Sequence, residues 1–276
     1  MIETRDGDGR LGTDTFRPGS DTPFLIGLGI LGGSYVVIIV AMIAADFAYI
    51  DSGSMLAALS SPEIQYSIGL SLLSCTLSTL FSLWVAIPLG YLTSRFDFTG
   101  KRFLDAVLDV PIVLPPLVIG ISLLALFNFA PFAWTSEWVV FEIPGVILAQ
   151  FMVACAFATR AMRISFDQIP KRYEKVALTL GCNRGKAFWL VVMPQARRGI
   201  LAAGTLAWAR SLGEFGPILV FAGSTRMRTE VLPTSVYLEM QAGNLKGMIA
   251  ISLIMIAAAA AVLVTSRLLG MKRMEP

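Results

Sequence analysis

Six stretches of this chain, 22–45, 64–94, 110–136, 143–159, 199–225 and 247–266, carry no charged residue or almost none. A helix needs about 20 apolar residues to cross the hydrocarbon of a bilayer, and in that medium every backbone polar group must be satisfied within the protein. With 55% apolar and 15% charged residues among 276, the composition is that of a polytopic membrane protein rather than a soluble domain around one core. The pattern predicts an all-α fold of six transmembrane helices, which puts both termini on one side.

The loops set the orientation. Three basic residues fall in 95–102, nine in 160–198, and Arg267, Lys272 and Arg273 follow the last run, whereas the segments around Asp51 and Glu137 hold none. Basic loops mark the cytoplasmic side, so a multi-pass protein of the cell (inner) membrane with both termini in the cytoplasm is expected. Arg226, Arg228 and Lys246 break the contrast on the outer side. The net charge of +3 reports topology, not nucleic-acid binding.

Residues 1–21 mix Glu3, Asp6, Asp8, Asp14 and Asp21 with Arg5, Arg10 and Arg17, and read as a disordered cytoplasmic tail. Residues 22–276 then form a single transmembrane domain. A cleavable signal peptide has a shorter apolar core and a small-residue cleavage site, so the first helix is expected to be retained. The chain has no His, Cys75 and Cys155 lie in apolar runs, and Cys182 lies in a basic loop, so no disulfide or metal set emerges. Without a Gly-rich phosphate loop either, the usual parts for metal, nucleophilic or nucleotide chemistry are missing, and neither an enzyme nor a cofactor of its own is expected.

Between two apolar runs stands RYEKVALTLGCNRGKAFWLVVMP, residues 172–194, too charged for lipid. Tyr173, Val176, Ala177 and Leu180 recur at i, i+3, i+4 and i+7, one apolar stripe on a short surface helix. Gly181 is placed to end that helix in the left-handed region, and a second helix should run from Asn183 to Pro194. A stripe of this kind wants a partner groove. The alternative is an interfacial helix resting on lipid headgroups through Lys171, Arg172, Lys175, Arg184 and Lys186.

Two further features sit inside apolar runs. Pro111, Pro115 and Pro116 in DVPIVLPPLVIG prevent a straight helix there, and the carbonyls they free must meet neighbouring helices or a wet cavity. In WARSLGEFGP, Arg210 and Glu214 lie one turn apart at membrane depth, which marks either a pathway or an ion pair that locks helices. Gly213, Gly216 and Pro217 would permit local unwinding beside them. Ala203, Ala207 and Ser211 repeat every four residues, as expected of a tight contact with a second copy of the chain or of packing within one bundle.

Glu174, Ala177, Gly181 and Pro194 resemble the EAA loop of ATP-binding cassette (ABC) importer permeases, with the glycine and closing proline at the family's separation. Lys175, Val176 and Ala177 stand where the name-giving triplet would be. VLPPLVIG at 113–120 and ARSLGEFG at 209–216 look like the permeases of the molybdate, tungstate and sulfate group. The resemblance implies a type I importer permease with a coupling loop at about 167–194, in which Tyr173, Glu174, Val176, Ala177, Leu180 and Gly181 engage the ATPase. It further implies a homodimeric core, two ATPase subunits that bind ATP and Mg, and an extracytoplasmic oxyanion-binding protein. Arg210, Ser211, Glu214, Pro115 and Pro116 are the expected pathway or gate residues. A secondary transporter would need titratable groups along its path, and a membrane scaffold would need no intramembrane charge pair.

Overall fold

The computed structural model describes residues 21–271, and these contain helices and no strand. Contacts divide the chain into two compact units, Met1–Ala48 and Tyr49–Pro276. The described part of the first is essentially α1 (Thr22–Tyr49). The expected tail lies outside the described residues except for Asp21.

In the second unit, α2 (Ser52–Ser60) starts where the Asp51 carboxylate accepts the Ser54 N–H at 3.2 Å and the Ser54 hydroxyl at 2.7 Å. Such a cap satisfies amides that a helix start leaves without partners. Then α3 (Pro62–Arg95) opens on a proline, whose missing N–H falls where the helix has no use for one. Its 34 residues rise about 51 Å, well beyond the hydrocarbon thickness. Next, α4 (Lys101–Val113) and α5 (Pro116–Leu126) meet at a bend of 113°. Pro115 and Pro116 supply no amide hydrogen and push the preceding residue out of the helical region, so the helix stops.

A 3₁₀ turn and the short α6 (Ser136–Val139) lead into α7 (Ile143–Asp167), and α8 (Arg172–Thr179) and α9 (Arg184–Ala187) follow. Residues Phe188–Val192 form a π turn that passes directly into α10 (Met193–Leu212). The expected second loop helix therefore does not end at Pro194. The ladder widens by one residue, with the Met193 N–H reaching the Phe188 carbonyl, and Pro194 enters the first turn of α10, where it needs no donor. The chain closes with α11 (Gly216–Phe221), α12 (Leu232–Gln241) and α13 (Leu245–Met271).

Six uninterrupted spans are not what forms. Among the described residues, α1, α3, α7 and α13 are long and apolar enough to cross a membrane, and the bent α4–α5 pair makes a fifth if taken as one span. The run 199–225 divides instead: α10 carries Arg197, Arg198 and Arg210 along its 20 residues and stops at Leu212, and α11 resumes at Gly216. The protein is an all-helical integral membrane protein.

Small side chains hold the bundle together. Ser67, Ser71, Ser74, Ser78 and Ser82 line one buried face of α3, and Ala154, Ala158, Ala203 and Ala207 bring α7 and α10 against it. A Cβ on Gly90 would lie 2.8 Å from the Met162 Cβ and 2.9 Å from the Arg163 amide nitrogen, so α3 and α7 cross at backbone distance. Lipid gives helices no hydrophobic reason to associate, and close approach with a few hydrogen bonds takes over that role. The Ala203, Ala207 and Ser211 repeat is part of this packing within the chain: all three are buried, and the Ser211 and Ser78 hydroxyls are 3.2 Å apart.

At the end of the bundle opposite α8, the three basic residues that broke the loop pattern each meet a carboxylate. Arg226 pairs with Glu239 at 2.8 Å, Lys246 with Asp51 at 2.9 Å, and Arg228 with Glu142. They fasten neighbouring segments and leave no unpaired positive charge of their own.

Candidate functional site

Two places carry the expected site residues. The first is the helical hairpin of α8 and α9. Its turn is a double-bonded helix end: Cys182 N–H donates to the Ala177 carbonyl at 3.0 Å, Gly181 N–H to Leu178 at 3.1 Å, and Gly181 has φ 90°. No atom lies within 4 Å of where its Cβ would be, so backbone conformation alone selects glycine. The Asn183 side chain then caps α9 by accepting the Lys186 N–H at 2.8 Å.

The apolar stripe does not act as one face. Tyr173, Val176 and Leu180 are exposed, Leu180 to 80%, whereas Ala177 is 7% exposed. Ala177 turns inward because α8 rests on the π turn, and a methyl is what that contact admits. Glu174 also points inward. Its Oε1 lies 2.6 Å from Nε of Arg95 at the end of α3, and its Oε2 accepts the Tyr91 hydroxyl at 2.9 Å. The expected docking set therefore separates into an outer group, Tyr173, Val176 and Leu180, and an inner group, Glu174 and Ala177, that attaches α8 to its own bundle.

The second place is a cavity of about 310 Å³ between the break in α4–α5 and the break in α10–α11, lined by Pro115, Pro116, Leu117, Arg210, Gly213, Glu214, Phe215 and Gly216. Four of the five expected gate residues meet here. Ser211 does not: it is fully buried on the far face of α10 against Ser78. Arg210 reaches Glu214 Oε1 at 2.9 Å and lies over the Phe157 ring at 5.3 Å. The Glu214 side chain is 1% exposed and that of Arg210 35%, so the carboxylate is enclosed while the guanidinium keeps an open side. A Cβ on Gly120 would stand 2.9 Å from the Pro217 Cα, and one on Gly216 would stand 3.0 Å from the Leu117 amide nitrogen. The two broken segments thus touch through their backbones around the cavity.

Sequence reasoning missed the residues that attach the hairpin to the bundle. Arg95 and Tyr91 carry no motif, since an Arg at a helix end reads as a solvated charge. Ser94 donating to Asp167 at 2.6 Å and Arg163 pairing with Asp105 at 2.7 Å belong to the same end of the bundle. The serine face of α3 had a signal in its four- and three-residue spacing.

A bundle with two opposed broken helices around a charged cavity, and an exposed amphipathic hairpin at one end, defines a membrane transport subunit. Residues 82–276 match the family described as the binding-protein-dependent transport system inner membrane component, and the chain belongs to it. Its relatives are permease proteins rather than enzymes. The molybdenum transport system permease protein ModB of Escherichia coli is 34% identical over 189 residues, 66% of this chain and 82% of that protein. The molybdate/tungstate transport system permease protein WtpB of Pyrococcus abyssi is 33% identical over 193 residues, 69% of this chain and 75% of that one. Among solved structures, a bacterial alginate ABC transporter in complex with a pentasaccharide-bound periplasmic protein superposes with a TM-score of 0.68 at 15% identity, over 89% of this chain and 91% of the matched one. That likeness concerns the fold.

Proposed function

We propose that the chain is the membrane permease of a binding-protein-dependent ABC importer that carries molybdate or tungstate into the cytoplasm. The observation that carries this reading is the cavity itself, where a half-exposed guanidinium faces a gap between two helix breaks. A tetrahedral oxyanion is what a planar, permanently charged fork of donors recognises. The relatives named for molybdenum, molybdate and tungstate support the same substrate class.

On this reading two copies enclose the path, with Arg210, Glu214, Pro115 and Pro116 at the gate. Two ATPase subunits bind ATP and Mg and receive Tyr173, Val176 and Leu180 from α8, an extracytoplasmic protein delivers the anion, and this chain binds no nucleotide. Both termini lie in the cytoplasm. Closure of the ATPases moves α8, and alternating access follows from two arrangements of one packed interface.

The test is uptake of labelled molybdate into vesicles holding the permease, its ATPase and its binding protein. Uptake is expected to require ATP and the binding protein, and tungstate should compete better than sulfate. Stronger competition by sulfate would reassign the anion, and uptake driven by an ion gradient without ATP would make the chain a secondary transporter.

A further inference from the structure

The docking hairpin holds its own bundle through few groups. Besides the buried Ala177, what fastens α8 is Glu174, and both of its oxygens are held from α3, one by Arg95 and one by Tyr91. The Arg95 side chain is 4% exposed, and its Nη2 also donates to the Ile169 carbonyl at 2.9 Å, in the turn that joins α7 to α8. Tyr91 is itself wedged edge-on against Phe96, Phe166 and Phe188, rings from the end of α3, from α7 and from the π turn. Arg184 of α9 lies over the Phe96 ring at 5.2 Å, a second tie from the hairpin to α3.

We propose that Arg95, outside the loop that docks on the ATPase, is the positioning residue that transmits the movement of α8 to α3 and through it to the arginine-lined cavity. The inference rests on the importer reading. The route is continuous. From Arg95, α3 runs 17 residues, about 26 Å, to Ser78, staying helical across Pro88, and the Ser78 hydroxyl meets that of Ser211, the residue after Arg210. The close Arg95–Glu174 ion contact, the Tyr91 hydroxyl on the other Glu174 oxygen and the Arg95 bond to the Ile169 carbonyl tie α8 and its approach to α3 at three points, so a push on α8 arrives at α3 as a displacement rather than being lost in a flexible joint. A joint made of exposed side chains would slip, and this one is shielded from water.

If Arg95 only staples α8 in place, its loss should weaken assembly and reduce ATP hydrolysis and uptake together. If it transmits, the two activities separate. In the reconstituted complex, Arg95→Gln and Glu174→Gln are expected to retain the ATPase subunits and most ATP hydrolysis, while anion imported per ATP falls by about twofold to thirtyfold, the range of single-residue effects on coupling. Arg95→Lys, which keeps the charge but not the fork, should fall between. Tyr91→Phe removes one hydroxyl and no packing, and should lower the ratio in the same direction even if the Arg95 variants fail to fold. Amide exchange of the permease alone supplies a readout that needs no partner: residues 172–180 should exchange faster in both charge variants while α3 and α10 keep their protection. An unchanged transport-to-hydrolysis ratio in folded Arg95→Gln, in Tyr91→Phe, or unchanged exchange of α8 overturns the proposal. Failure of the wild-type permease to hold an ATPase would instead overturn the importer reading.

Discussion

Single residues decide how the cavity and the hairpin work. Glu214 is enclosed and its ion-pair partner is Arg210, so Arg210→Gln alone strands a buried carboxylate, a loss of about 3–5 kcal/mol. Thermal unfolding should show that loss, and Arg210→Gln with Glu214→Gln should recover it. Uptake separates the two roles of the arginine. If the guanidinium assists the anion, the double variant folds but imports poorly, and Arg210→Lys retains part of the rate because a point charge survives without the fork. Import at the wild-type rate by the double variant would leave Arg210 a structural lock and nothing more. Gly181 poses a simpler question, because open space surrounds its Cβ position and its φ is 90°. Gly181→Val should destabilise the hairpin by about 1–2 kcal/mol and Gly181→Asn by less, since asparagine enters the left-handed region more easily. Exchange rates across 172–182 check the order, and equal rates in the two variants would exclude a backbone cause.

Among the helices, α8 shows how one periodic pattern can serve two contacts. Leu180→Asp changes a side chain that projects into water, so the permease should keep its melting temperature and lose ATPase retention on an affinity column. Ala177→Asp places an unpaired carboxylate against the π turn, and the permease itself should be destabilised by several kcal/mol. Retention of the ATPase by Leu180→Asp, or a wild-type melting temperature for Ala177→Asp, would reverse the assignment of the two faces. The stripe was legible in the sequence because helical period is a local property; which of its members face the bundle was not, because that depends on Glu174 finding Arg95 some 79 positions earlier. The same limit explains the span count. Apolar runs located α1, α3, α7 and α13, the prolines of α4–α5 announced their break, and Gly213, Gly216 and Pro217 allowed for unwinding in 199–225; what the runs did not give was that α4 begins back at Lys101, or that Gly120 and Gly216 bring the two broken segments to backbone distance. Pro194 looked like a stop and became the start of a helix, because a π turn absorbed the missing donor.

At the scale of the whole molecule, the distribution of Lys and Arg bears on orientation. The end that holds Arg226, Arg228 and Lys246 weakens the contrast between the two sides without reversing it, and each of these residues is paired with a carboxylate of a neighbouring segment. The end that holds α8 keeps Arg172, Lys175 and Lys186 exposed, and among the described residues no ion pair engages them. Lys and Arg next to the spans resist translocation, and carboxylates offset them little, so the larger basic count at the hairpin end, nine residues in 160–198 and three in 95–102, supports the proposal that this end lies in the cytoplasm. The chain's own cysteines make this measurable. Cys75 is buried, and Cys182 lies half-buried in the turn of the hairpin. In a variant with Cys75→Ala and Cys155→Ala, a membrane-impermeant maleimide should label Cys182 in inside-out vesicles and leave intact cells unlabelled. Bound ATPase should slow that labelling, because the turn is where α8 would enter its groove. Labelling from the outside of intact cells would invert the topology and remove the basis for placing the ATPase at this end.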